Sequence, residues 1–285
     1  MTGGTIFLLP SKVNQIFSLA FRSLRLKASP PMLSRLLARL QTPHVNACFC
    51  TLAIHPAYRR RAQLLIADAR AMPWIVLTDD PDDFADLPVR AIRHVPTGPM
   101  AIDFQTKLPP TGRGRGAPAY HDKRFALRAA LQEFDTAIFI DADTRIKSLP
   151  RLPRFQPGIA VDRALRSSIA DHLSRWGQAR KPAFEELAAE LTGDANAINS
   201  ARWCSEALFA VTKDGNESKF FEAWQRGAKF LQERGIFTGE GGVIGLSAAY
   251  AGWTVNYKSL TKLVAATKHE AGGPKPHKLP DNQHM

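Results

Sequence analysis

Apolar residues fall into short unbroken runs that alternate with longer amphipathic stretches. Ala47–Ile54 reads as a first buried strand, followed by a helical pattern over His55–Ala71. Trp74–Thr78 is a second apolar run, ending at Asp79-Asp80, and Val89–Val95 is a third. Tyr120–Glu133 carries a helical period and feeds Ala137–Ile140, an all-apolar run that predicts a strand buried on both faces. Ile159–Val161 and Leu208–Val211 add two short strand candidates. Residues 167–191 are mostly helical, with further helices expected at about 215–234 and 240–251. Strands that alternate with helices in this way predict an α/β fold with a largely parallel, doubly wound sheet. No internal repeat is present.

Two breaks interrupt this rhythm. Residues 96–119 are rich in Pro and Gly, include Gly112-Arg113-Gly114-Arg115-Gly116, and predict a long loop. From Thr267 the tail is rich in Gly, Pro and Lys. Residues 1–45 stand apart from the rest. Ile16–Lys27 and Met32–Gln41 are basic amphipathic segments separated by Pro30-Pro31, which ends any helix before it. The expected organisation is a basic, helical N-terminal extension over 1–45 and one domain over 46–285. Three readings of the extension stay open: a helical element packed on the body, a surface-membrane anchor through Leu33, Leu36, Leu37 and Leu40, or partly untranslated sequence with Met32 as the start.

Charge sharpens this division. The formal net charge of +12 points to an anionic partner, and Lys12, Arg22, Arg25, Lys27, Arg35 and Arg39 place half of it in residues 1–45, where no acid occurs. No basic motif interleaved with aromatics marks a nucleic-acid interface, so nucleic acid is not the expected partner. Cys48, Cys50 and Cys204 form no C-x-x-C pair and read as buried thiols of a reduced compartment. No apolar stretch reaches the ~18 residues of a membrane span, and Met1–Ser11 lacks the basic start of a secretory signal. Cytoplasmic residence is the expectation, with peripheral contact at the inner membrane through residues 1–45 as one reading.

The candidate chemistry begins at Asp141-Ala142-Asp143-Thr144, directly after the Ala137–Ile140 strand. In open α/β sheets ligands gather at the carboxyl ends of strands, and hard divalent cations take oxygen ligands. A D-x-D at that place is suited to holding Mn²⁺ or Mg²⁺ against a diphosphate; the alternative is an acidic turn.

Four separated segments resemble retaining nucleotide-sugar glycosyltransferases of the glycogenin and lipopolysaccharide-galactosyltransferase type, glycosyltransferase family 8, over residues 47–278. Thr51-Leu52-Ala53-Ile54-His55-Pro56-Ala57-Tyr58 is similar to the family's T-L-x-x-N-x-x-Y, with His55 in place of Asn. Lys123 stands where a helical Lys or Arg reaches the donor, and Asp141-Ala142-Asp143-Thr144 fits the family's acidic motif. Glu240-Gly241-Gly242-Val243-Ile244-Gly245 resembles D-Q-x-x-L-N, with glycine in place of both amides. His269-Glu270-Ala271-Gly272-Gly273-Pro274-Lys275-Pro276-His277 fits H-x-x-G-x-x-K-P-W except at its last position. Ser205-Glu206-Ala207-Leu208-Phe209 occupies the place of N-S-G-V-F as a weak match, and its polar pair is read as facing an acceptor or as a strand edge.

The resemblance implies a GT-A-like fold: a single Rossmann-like, mostly parallel sheet flanked by helices. It also implies roles. Thr51, Ala53 and Tyr58 would hold the nucleotide base, Lys123 the donor, and Asp141 or Ala142 the ribose. Asp141, Asp143 and His269 would be the metal ligands for Mn²⁺ or Mg²⁺, and Gly272 and Lys275 would contact the diphosphate. Glu240 would face the anomeric carbon, and with Lys275 it forms the expected catalytic pair. The expected function is metal-dependent transfer of a sugar, with retention, from a nucleotide-diphosphate sugar (a UDP-sugar favoured) to a glycan, lipid or protein acceptor. Two alternatives are a haloacid-dehalogenase-like phosphohydrolase, whose D-x-D-x-T/V pattern places Arg145 wrongly, and a catalytically impaired nucleotide- or polyanion-binding module of the same fold.

Overall fold

The computed structural model describes residues 46–97, 120–162, 166–236 and 239–270. The basic extension over 1–45, the Gly112–Gly116 loop, Thr238, Gly272, Lys275 and His277 lie outside the described residues.

Six strands form the main sheet: β1 (Ala47–Ala53), β2 (Trp74–Thr78), β3 (Arg90–Arg93), β4 (Thr136–Ile140), β6 (Gly158–Val161) and β7 (Leu208–Thr212). Their spatial order is β3-β2-β1-β4-β7-β6. β1 pairs in parallel with β2 and β4, and β2 with β3. β7 is antiparallel to both β4 and β6, so β6 runs with β4 and β7 alone is reversed. The sheet is therefore mixed but mostly parallel. Its apolar runs reflect cover on both faces: every residue of β2 and β4 is buried.

Alternate residues of each strand feed two core layers. Cys48, Cys50, Phe139, Phe209 and Val211 face the layer that holds Phe184, Phe220 and Trp224. Phe49, Ala53, Ile138, Ile140 and Ala210 face the other, under Ala62, Leu65 and Ile66 of α1 (Pro56–Asp68). Helices thus cover both sides of the sheet, with α2 (Lys123–Glu133) on the first face.

Two topological facts position the candidate site. The chain leaves β1 outward to β2 and β3, then returns to β4 on the other side of β1, so the switch point lies between β1 and β4, where open sheets bind ligands. The reversal of β7 places its start beside the end of β4, with Leu208 opposite Ile140. Residues 205–207 therefore reach the same edge as Asp141, whose N–H donates to the Ala207 carbonyl at 2.8 Å.

The stretch 167–191 is two helices. α3 (Ile169–Trp176) starts at Ser168, whose hydroxyl accepts from Asp171 N–H at 3.0 Å, and ends at Gly177; α4 (Lys181–Thr192) follows after one 3-10 turn and stops at Gly193 in the left-handed region. The short helix α5 (Ala197–Ser200) precedes β7; α6 (Glu217–Glu233), α7 (Glu240–Tyr250) and α8 (Thr261–Ala266) follow it.

The tail read as Gly-, Pro- and Lys-rich from Thr267 begins instead with a strand. β8 (Thr267–His269) pairs antiparallel with β5 (Thr144–Ile146), His269 opposite Thr144. Asp68 at the end of α1 anchors this small sheet, accepting from Arg145 Nε and Nη2 at 2.7 Å each and from Ile146 N–H at 3.0 Å.

Candidate functional site at the carboxyl edge of the sheet

Lys123, the first residue of α2, is only 4% exposed, and its ammonium sits at the edge where β4 ends. Nζ lies 2.9 Å from Asp141 Oδ1, 3.0 Å from Glu240 Oε1 and 3.0 Å from the Glu206 carbonyl. An ammonium has three hydrogens, and each finds an acceptor here. Burial by itself lowers the Lys123 pKa, but Asp141, Glu240 and Glu206 overcome it and hold the pKa well above the ordinary lysine value. The Asp141 pKa is raised as well: burial raises it, and the Lys123 ammonium only partly offsets this.

Glu240 opens α7, a helix whose first nine residues, Glu240–Ala248, are all buried. Its glycines permit a very close approach. A Cβ on Gly241 would lie 2.4 Å from the Cys204 carbonyl oxygen, and one on Gly245 1.9 Å from that of Arg202. The segment 202–206 is thus pressed along α7, and Glu206 Oε1 accepts from the Gly241 N–H at 2.9 Å. Burial, with Glu240 nearby, raises the Glu206 carboxyl from its ordinary 4.5 to about 8.

Asp143 lies on the other side of Asp141. Its Oδ1 is 3.3 Å from His269 Nδ1, and its Oδ2 3.6 Å from Arg61 Nη1. The β5–β8 pairing makes this contact, with the Glu270 N–H donating to the Asp143 carbonyl at 2.8 Å. Burial raises the Asp143 pKa, with Asp141 adding to it. Two carboxylates and an imidazole are donors that a hard divalent cation accepts. Among the described residues, however, no three such groups stand close enough together to hold one, because Asp141 turns to Lys123 while Asp143 turns to His269.

At the end of β1, His55 takes φ 83°, the one non-glycine among the described residues with positive φ. Its N–H lies 3.2 Å from each carboxylate oxygen of Asp79, and its Nδ1 accepts from Ala57 N–H at 3.3 Å to cap α1. With ψ 141°, His55 lies outside the left-handed helical region, in a backbone conformation uncommon for a residue with a side chain. Thr51, fully buried in β1, has an Oγ1 with no hydrogen-bond partner among the described residues. Ala53, also buried, gives its carbonyl to Thr78 Oγ1 at 2.9 Å. Tyr58 is half-buried on the first turn of α1; burial raises its pKa, with Asp143 next in effect.

The structure therefore brings Lys123, Asp141 and Glu240 into contact and sets His269 against Asp143. Ala142 is buried between the two acids of its motif. Sequence reasoning undervalued Glu206 and passed over Arg61. The available signal for Glu206 was its place two residues before β7, and for Arg61 its single helical turn from Tyr58. No protein-family model and no curated protein matches this chain.

Proposed function

We propose that this protein is a metal-dependent glycosyltransferase acting on a nucleotide-diphosphate sugar. One observation carries the reading: Lys123, Asp141 and Glu240, contributed by three separate elements, meet at the carboxyl edge beside the β1–β4 switch point. A buried cation between two carboxylates is suited to a donor that carries both a diphosphate and a sugar whose anomeric carbon becomes positive in the transition state. Glu240 faces that carbon in this reading, and Lys123 orients Glu240 and offers the donor its charge. Thr51, Ala53 and Tyr58 line the base end. Asp143 and His269, with Asp141, would hold the divalent cation, which as a Lewis acid would stabilise the departing diphosphate. Lys275 and Gly272 belong to the same reading on sequence alone. The acceptor is a glycan, lipid or protein, and retention of configuration rests on the family resemblance.

The test is a thermal-shift panel of nucleotides and nucleotide sugars with and without Mn²⁺, since a ligand that binds only the folded state raises the melting temperature. A UDP or UDP-sugar shift that requires Mn²⁺, is abolished by Asp143→Ala and is weakened by His269→Ala is expected. Wild-type metal dependence in both variants would overturn the assignment.

A further inference from the structure

The motif around Glu240 lacks the two amide side chains that follow the acid in the family it resembles, and the packing gives the reason. Gly241 and Gly245 stand where backbone carbonyls of Cys204 and Arg202 come within 2.4 Å and 1.9 Å of a would-be Cβ. No side chain fits at either position while residues 202–206 lie along α7. The packing that removes those side chains also delivers Glu206. Its carboxylate takes the Gly241 N–H at 2.9 Å, and its carbonyl takes the Lys123 ammonium at 3.0 Å. The next residue, Ala207, accepts from Asp141 N–H. One dipeptide thus ties down the start of α7, the start of α2 and the end of β4.

We propose that Glu206 is a positioning residue of this site, its carboxylate holding the N-terminus of α7 and its carbonyl holding Lys123, so that Glu240 and Asp141 share one ammonium. The role depends on an acceptor oxygen, not on negative charge. Burial and Glu240 push its pKa up to about 8, so the site favours the uncharged carboxyl, whose carbonyl oxygen accepts as a glutamine amide does. Its consequence for catalysis rests on the glycosyltransferase reading; its consequence for geometry does not.

Glu206→Gln and Glu206→Ala separate the possibilities. Amide hydrogen exchange reads the hydrogen bond at Gly241, and ¹⁵N signals of the lysine ammonium read Lys123. Glu206→Gln is expected to keep Gly241 protected and the Lys123 signal intact. Glu206→Ala is expected to speed Gly241 exchange at least about tenfold and to broaden the Lys123 signal, while far-UV circular dichroism stays unchanged. In hydrolysis of UDP-glucose or UDP-galactose by water, Glu206→Ala should lower kcat about tenfold or more with KM within about threefold, and Glu206→Gln should stay within about threefold of wild type. Protected Gly241 with an intact Lys123 signal in Glu206→Ala would overturn the proposal. So would equal loss of kcat in both variants, which would make the charge and not the hydrogen bond the working part. If the wild type turned over neither sugar nucleotide, the failure would fall on the glycosyltransferase reading, and the exchange and ¹⁵N signals would still decide the positioning role.

Discussion

Lys123 Nζ lies 3.0 Å from Glu240 Oε1, although 117 positions separate the two residues in the chain. Their side chains are 5% and 7% exposed, so both charges are withdrawn from water. A buried ion pair survives only when its remaining hydrogen-bonding capacity is met, and here Asp141 and the Glu206 carbonyl meet that of the ammonium. The Lys123 ammonium also lies 5.3 Å from the Phe139 ring centroid and 5.8 Å from that of Tyr120, both within cation–π range.

Removing this cation should therefore cost far more than a surface charge would. Lys123→Met keeps the length of the side chain but leaves Asp141 and Glu240 facing each other without a counter-charge. The expected loss is about 3–5 kcal/mol of unfolding free energy, the range for breaking a buried pair from one side. Urea denaturation at pH 7 measures it. Lys123→Arg should not restore stability, because a planar guanidinium does not reproduce the three-way arrangement of acceptors around Nζ. A loss below about 1 kcal/mol for Lys123→Met would mean that the pair is solvated in solution.

Gly245→Ala tests the packing of α7. Replacing glycine by alanine inside a helix normally stabilises it by roughly 0.5–1 kcal/mol. Here the new methyl would meet the Arg202 carbonyl at 1.9 Å, a backbone atom that cannot swing aside. The sign should invert, with a loss of about 1–3 kcal/mol from overpacking. Gly252→Ala is the contrast: nothing lies within 4 Å of its Cβ position, but its φ of 75° is itself unfavourable to alanine. A Gly245→Ala melting temperature at or above wild type would show that residues 202–206 stand away from the helix.

These packing details explain what could and could not be read from the chain. The strands were legible because β1, β2 and β4 are short, mostly apolar runs covered on both faces that alternate with longer amphipathic stretches. The direction of β7 was not, since Leu208–Thr212 has the same pattern read either way, and direction is set by the partner strand. β8 escaped notice because Thr267-Lys268-His269 has no apolar residue, and its pairing comes from β5 and from Asp68 beneath it. The acids and the lysine of the site were visible as residue types at the spacings of the motifs they resemble. Glu206 was nearly invisible, because its role is made by the close approach of residues 202–206 to α7, a contact between segments that no local spacing encodes.

Thr51 separates the needs of the fold from those of a ligand. Among the described residues its Oγ1 is buried without a partner, a condition that costs about 1–3 kcal/mol relative to a satisfied hydroxyl. Thr51→Val keeps the shape and removes the unmet polar group, so the ligand-free protein should gain about 1 kcal/mol. If Thr51 contacts the nucleotide, the same variant should bind UDP more weakly with Mn²⁺ present. A more stable protein with weaker UDP binding is the expected pair of results, read by melting temperature and by calorimetric titration. Unchanged UDP affinity would remove Thr51 from the base-binding set.

The pH dependence of stability should carry a signature of Glu206. Its carboxyl has an ordinary pKa of 4.5 in the unfolded chain and about 8 in the fold, where burial, Glu240 and Asp141 raise it and Lys123 and the Gly241 N–H pull it down. Between those two values the folded state binds a proton that the unfolded state has released, so stability must fall as pH rises through that window. Below 4.5 both states are protonated and the contribution is complete; above 8 both are ionised and the loss is complete. Lys123 adds no slope there, because its folded pKa is raised above the ordinary lysine value and its contribution persists until far more alkaline pH. Glu206→Gln removes the titration while keeping an acceptor for Gly241. The difference in melting temperature, variant minus wild type, should therefore be smallest near pH 4.5 and grow steadily toward pH 8. A difference that stayed flat across that range would place the Glu206 carboxylate in water, outside the influence of Glu240.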